Sequence, residues 1–212
     1  MITKQSKSKT AITKTLPEFH IHFPIVAIGA SAGGLEAMME LLKHLPPDTG
    51  MAFIYVQHLS PDHKSMLTEI LSKKTRMKVQ EIDDMDKIQP NNIFVIPYNK
   101  GVEVTDGHLK LIPRSESNSI ISIDTLFSSL ARSQKERVIG IILSGSASDG
   151  TVGIKDIKNE GGLTFAQDDT AKFTSMPHSA IAAGVVDFVL SPKEIALELA
   201  RLSKHPFVKI NS

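Results

Sequence analysis

The chain has no cysteine, which removes disulfides, thiolate metal sites and a cysteine nucleophile in one step. It has no apolar run approaching the roughly 20 residues that a membrane-spanning helix needs. It also lacks a charge excess, since 24 Lys and Arg stand against 23 Asp and Glu for a formal net charge of +1. A nucleic-acid surface usually shows itself as a basic excess, and a disordered chain as few apolar residues with a large charge imbalance. Neither fits a chain that is 41% hydrophobic and 22% charged. The opening "MITKQSKSKTAITKT" is basic and polar, without the apolar segment of a secretory signal. These absences predict a soluble, cytoplasmic protein with no membrane insertion and no nucleic-acid partner.

What remains is ample for one core, because 212 residues make a domain that needs no disulfide or structural metal to hold it. Residues 1–20 carry Lys4, Lys7, Lys9 and Lys14 between Ser and Thr and read as a flexible basic tail or linker. Residues 21–204 are expected to form the domain, and 205–212 a C-terminal tail.

Short apolar runs alternate with longer helical patterns along that domain. Strands are predicted at 24–30, 52–57, 78–82, 93–97, 138–145, 162–167 and 187–191, and helices at 34–45, 62–74, 123–134, 151–160, 177–183 and 192–203. That rhythm is the signature of βαβ units. It predicts an α/β fold, a doubly wound and mostly parallel sheet with helices on both faces. One segment departs from it: "VEVTDGHLKLI" (102–112) alternates its side chains around Asp106-Gly107, the dipeptide that suits a two-residue hairpin turn. One antiparallel hairpin is therefore expected, followed by a polar loop at 113–121 and a helix capped near Ser122.

In an open parallel sheet, ligands bind beyond the carboxyl ends of the strands. Three such positions carry chemistry. "IVAIGASAGG" ends a strand in a Gly29-x-Ser31-x-Gly33 turn, the spacing of a nucleophile elbow, in which small neighbours make room for an exposed serine. A tight packing turn and a dinucleotide loop are the alternatives, although the dinucleotide fingerprint wants glycine where Ser31 stands. In "YVQHLSPDH", His58 follows directly on a strand, where a histidine can act as general base. His178 is the other histidine with a plausible place near the crevice. In "IILSGSASDGTVG", Asp149 follows a third strand and could orient a histidine; its simpler role is to cap the helix starting near Thr151. Three strand ends carrying Ser, His and Asp point to a catalytic triad of Ser31, His58 and Asp149. Their order along the chain differs from the Ser, Asp, His order of α/β-hydrolases.

With those residues in place, the sequence resembles the catalytic domain of CheB-type chemotaxis protein-glutamate methylesterases. The likeness runs from about residue 24 to 201 and rests on "IGASAGG", "VQHLSPDH", "VIPYNKGVEV", "SIDTLFSSLA", "GIILSGSASDGTVG" and "AQDDTAKFTSMPHSAIAAGVVDFVL". The resemblance implies a serine esterase that hydrolyses glutamyl methyl esters on chemoreceptors and releases methanol, with glutamine deamidation as a second activity. It maps the nucleophile to Ser31, the base to His58 and the orienting carboxylate to Asp149. It places the oxyanion-hole N–H groups at Ala32 and Ser146. No cofactor and no metal are implied, and the expected partner is the cytoplasmic region of a methylated chemoreceptor.

Three positions depart from the family pattern: Ala32 stands where threonine is frequent, Ser146-Ala147 where Met-Gly is common, and His178 where arginine usually follows Met-Pro. Stand-alone members carry an N-terminal receiver domain, whereas only residues 1–23 precede the first predicted strand here. The closer likeness is to the methylesterase module of hybrid signalling proteins, fused to or associated with methyltransferase and kinase domains. A non-catalytic interaction module of such a protein is the alternative function, and a nucleotide-binding domain a third.

Overall fold

The computed structural model describes residues 21–57, 66–98, 100–113 and 123–205. The basic segment 1–20, His58 with the loop 59–65, Ser122 and residues 206–212 of the C-terminal tail lie outside the described residues.

The chain begins β1 (Ile25–Ala30), α1 (Gly34–His44), β2 (Ala52–Gln57), α2 (Leu67–Ser72), β3 (Lys78–Glu81), β4 (Asp86–Lys87) and β5 (Asn92–Val95). There follow β6 (Lys100–Thr105), β7 (His108–Pro113), α3 (Ile123–Gln134), β8 (Val138–Ile142) and α4 (Thr151–Asn159). The described chain closes with β9 (Leu163–Gln167), α5 (Ser175–Ala182), β10 (Phe188–Leu190) and α6 (Pro192–Leu202). Seven strands form one sheet in the order β10-β9-β8-β1-β2-β5-β3, and every pairing in it is parallel.

That order has a functional consequence. From β1 the chain goes outward to β2 and on to the edge strand β3, comes back between them with β5, then crosses to the other side of β1 with β8 and winds out through β9 and β10. The order therefore reverses between β1 and β8. The crevice of such a sheet opens at that reversal, beyond the carboxyl ends of the two strands.

The alternation of side chains along β1 explains why it sits at the centre. Ile25 and Ala27 join a core with Ile123, Leu126, Phe127 and Leu130 of α3, while Val26 and Ile28 join a second core with Met38 and Leu41 of α1. A strand with a helix on each face must be apolar throughout, and all six residues of β1 are buried. The last helix is marked by local chemistry: Ser191 and Glu194 form a reciprocal capping box, with Pro192 in the first turn.

The structure adjusts several expectations. The hairpin forms about Asp106 (φ 49°) and Gly107 (φ 75°) as anticipated, but β6 and β7 belong to a separate three-stranded sheet completed by β4. Two residues of β4 are too few to show alternation in a sequence. Val104 N–H donates to Ser129 Oγ at 3.0 Å and so ties this small sheet to α3. Strand β8 stops at Ile142 rather than running to 145: Leu143 N–H still reaches Gly29 O of β1, but Ser144 and Gly145 turn away and donate to Gln167 Oε1 and Phe173 O. Helix α5 starts at Ser175, two residues before its expected start. Pro177 falls in its first turn, where a missing N–H costs nothing.

Candidate active site

Strand β1 delivers Ser31 to the crevice, and the turn after it is shaped by what crowds it. Gly33, the N-cap of α1, has φ 73°, a left-handed conformation that glycine adopts without a Cβ penalty. A Cβ at Gly33 would also lie 2.6 Å from Ser144 Oγ and 3.0 Å from Lys172 Cβ. The small residues of "GASAGG" are thus required by close approach of two other loops as well as by the turn itself. Gly34 N–H donates to Ser31 O at 2.9 Å and closes the turn.

The turn after β8 is bonded to it directly. Ser31 N–H donates to Ser144 O at 3.0 Å. The buried Ser144 hydroxyl donates to Ala32 O at 2.8 Å and accepts from Phe173 N–H at 3.0 Å. Its own N–H donates to Gln167 Oε1 at 2.9 Å. One serine therefore joins the elbow, the end of β9 and the segment 168–175. Next along, Gly145 packs so closely that a Cβ there would run into Met176 Sδ and lie 3.0 Å from Ser31 Cβ. Among the described residues, nothing accepts from the N–H of Ala32 or of Ser146, and the Ser31 hydroxyl has no hydrogen-bond partner.

A second support comes from β2. Gln57 Nε2 donates to Ser31 O at 3.4 Å, and Tyr55 O–H donates to Gln57 Oε1 at 2.5 Å. Burial pushes the Tyr55 phenol far up, with the Glu36 carboxylate adding to it, so it remains a neutral donor. Gln57 is in register with Ala30, the residue before Ser31. His58 follows Gln57 in the sequence and is outside the described residues.

Asp149 does something other than cap its own helix. The N-cap of α4 is Gly150 in a left-handed conformation, with no side-chain cap. The Asp149 carboxylate instead accepts from Ile123 N–H at 2.8 Å and Asp124 N–H at 3.3 Å, which are first-turn donors of α3, and from Gly150 N–H at 2.9 Å. Asp124 returns the favour by accepting from Gly153 N–H of α4 at 2.7 Å. Burial, followed by the nearby Asp149 carboxylate, raises the Asp124 pKa, against the lowering effect of the Gly153 and Val152 N–H groups. Ile123 also bridges the two halves of the site, because hypothetical Cβ atoms on Gly29 and on Gly150 would both run into its Cγ2 region.

Of the residues singled out in the sequence, the structure places Ser31, Ala32 and Ser146 around the β1–β8 reversal, with Asp149 at the far side of Ile123. His178 is exposed and its Nε2 lies 3.0 Å from Asp169 Oδ1. Among the described residues, no cluster of three or more His, Asp or Glu is grouped to hold a metal ion, and no helix is long and apolar enough to cross a membrane. Sequence reasoning missed Ser144, Gln167 and Asp124. Gln167, a polar residue ending a strand at the crevice edge, carried the same strand-end signal that picked out His58.

The arrangement sets a serine on a tight strand-to-helix turn against a second turn whose Ser146 N–H has no acceptor among the described residues, a geometry that suits attack on a carbonyl carbon. Comparison with known proteins agrees. Residues 26–199 match the family model described as CheB methylesterase. A protein of Leptospira interrogans (serovar copenhageni), provisionally named protein-glutamate methylesterase/protein-glutamine glutaminase, is 35% identical over 188 residues, which is 87% of this chain and 97% of that one. Protein-glutamate methylesterase/protein-glutamine glutaminase 1 of Geobacter sulfurreducens is 32% identical over 188 residues, 85% of this chain but 52% of its own length. The crystal structure of the Thermotoga maritima CheB methylesterase catalytic domain superposes with a TM-score of 0.78 at 28% identity, covering 85% of this chain and 98% of that one.

Proposed function

The chain belongs to the CheB methylesterase family, and from that premise we propose that it hydrolyses glutamyl methyl esters on chemoreceptors through a Ser31 acyl-enzyme, releasing methanol. It is a carboxylic ester hydrolase. Glutamine deamidation, the companion activity in the names of its relatives, uses the same steps with ammonia as the leaving group.

His58 takes the proton from Ser31 Oγ as that oxygen attacks the ester carbonyl carbon. The carbonyl oxygen gains the negative charge and is received by the N–H groups of Ala32 and Ser146. His58 passes its proton to the departing methoxide, which leaves as methanol. It then takes a proton from water as that water attacks the acyl-enzyme carbonyl, and returns the proton to Ser31 Oγ as the acyl bond breaks and the glutamate product leaves. Asp149 accepts a hydrogen bond from the imidazole and stabilises its charged form. The catalytic domain spans 21–204, works in the cytoplasm where receptor tails are presented, and associates with methyltransferase and kinase domains.

The observation that carries this reading is the convergence of two turns: a Cβ built on Gly145 would lie 3.0 Å from Ser31 Cβ, and the N–H groups of Ala32 and Ser146, the next residue in each turn, have no acceptor among the described residues. The test is methanol release from methylated chemoreceptor membranes. Ser31→Ala is expected to lose on the order of 10⁴-fold or more in rate; an unchanged rate refutes the assignment.

A further inference from the structure

The carboxylate proposed to orient His58 sits on an otherwise exposed turn, in which Ser146, Ala147 and Ser148 all face solvent. A carboxylate in such a place rotates freely unless something holds it. Here two helices hold it by trading caps. The first turn of α3 gives its Ile123 and Asp124 N–H groups to Asp149, and the first turn of α4 gives its Gly153 N–H to Asp124. Helix N-termini favour a negative charge, and each carboxylate is bound to the first turn of the other's helix: Asp149 to α3, which holds Asp124, and Asp124 to α4, which follows Asp149.

We propose that Asp124 is a positioning residue for catalysis: its carboxylate, anchored on the Gly153 N–H of α4, holds the first turn of α3 in place, so that the Ile123 and Asp124 N–H groups fix the rotation of the Asp149 carboxylate. This rests on the triad reading above. Asp149 accepts from three N–H groups. Burial, with the Asp149 charge beside it, holds the Asp124 carboxyl above the usual range, against the lowering effect of the Gly153 and Val152 N–H groups. An asparagine at position 124 keeps an oxygen that can accept from the Gly153 N–H.

The test compares Asp124→Asn, which keeps an acceptor for Gly153 N–H, with Asp124→Leu, which does not. Asp124→Leu is expected to lower kcat on the order of 10–100-fold, the scale of a misplaced catalytic group, with KM changed by less than about twofold. Asp124→Asn should stay within about threefold of wild type. Added to Asp149→Asn, Asp124→Leu should cost nothing further, because it acts only through that carboxylate. Ser128→Ala, which removes the 2.6 Å bond from Ser128 Oγ to Asp156 between the same two helices, controls for loosened packing and should leave kcat unchanged. A wild-type kcat in Asp124→Leu, an equal fall in Ser128→Ala, or additive losses in the double variant each overturn the proposal. If Asp124→Leu does not fold, a hundredfold loss in Asp124→Asn overturns it by itself. Ser31→Ala, run alongside, separates the two levels: an active Ser31→Ala sinks the triad reading, whereas an inactive one beside a fully active Asp124→Leu sinks only the role of Asp124.

Discussion

Ser31 and Ser144 are neighbours through the backbone: the N–H of Ser31 donates to the carbonyl of Ser144 at 3.0 Å, across the point where the strand order reverses. The side chain of Ser144 then reaches back to Ala32 O. The peptide units that flank both proposed oxyanion donors are thereby held by one buried residue.

The first prediction concerns that residue. Ser144→Ala removes the acceptor of Phe173 N–H and the donor to Ala32 O while leaving the two backbone bonds to Ser31 and Gln167. Leaving buried polar groups without partners costs about 1–3 kcal/mol, which a denaturant titration reads. Activity should fall about tenfold or more, since the elbow is then fixed on one side only. Full activity with full stability would show that the hydroxyl holds nothing.

Gly33 and Gly184 separate backbone strain from crowding. Both have left-handed φ, 73° and 70°, but a Cβ at Gly184 meets nothing within 4 Å, whereas at Gly33 it meets Ser144 Oγ and Lys172 Cβ. Gly184→Ala should therefore cost about 1 kcal/mol and leave hydrolysis intact. Gly33→Ala should cost clearly more and lose most activity, because the elbow must shift. Equal losses of stability in the two variants, with activity retained in both, would contradict the crowding.

Much of this architecture was legible because its signals are local. The runs 25–30 and 52–57 are apolar on both faces because both faces are covered, and the spacing of Leu126, Phe127 and Leu130 marks α3 as surely as its neighbours do. The rest is non-local. A buried serine such as Ser144 reads as one more residue of the predicted strand 138–145, and its ties to Ala32 and Phe173 show only once those segments are folded around it. Asp149 reads as the cap of the helix that follows it, and only the packing of α3 against α4 shows that it caps the other one. The short β4 acquires its identity from β7 alone.

Ala147 carries strain between Ser146 and Asp149. Its φ of 69° places an alanine in the left-handed region, which costs an L-residue about 1–2 kcal/mol. Glycine relieves that cost but gains freedom in the unfolded chain, about 0.4–1 kcal/mol in the opposite direction. Ala147→Gly should accordingly raise stability by about 0.5 kcal/mol, seen as a small upward shift of the melting temperature, with hydrolysis preserved. A lower melting temperature would mean that the turn is not strained.

The edge of the sheet supplies a pH test. Asp187 accepts from Thr164 N–H at 3.1 Å, from Thr164 Oγ1 at 2.9 Å, and from Lys158 Nζ. Burial would raise its carboxyl, but the hydrogen bonds from Lys158 and Thr164, with the Lys158 charge, outweigh burial and hold it below the usual range. A carboxyl whose folded-state pKa is depressed stabilises the fold above its unfolded value, about 3.9, and loses that contribution as pH falls through the folded value. Wild type should therefore exceed Asp187→Asn in urea midpoint at pH 7. With Lys158 largely in solvent, the charge pair adds no more than about 1 kcal/mol to that gap. The gap should narrow as the pH is taken below about 4. A gap that stays constant from neutral pH to strong acid would assign the stabilisation to packing of Asp187 rather than to its charge.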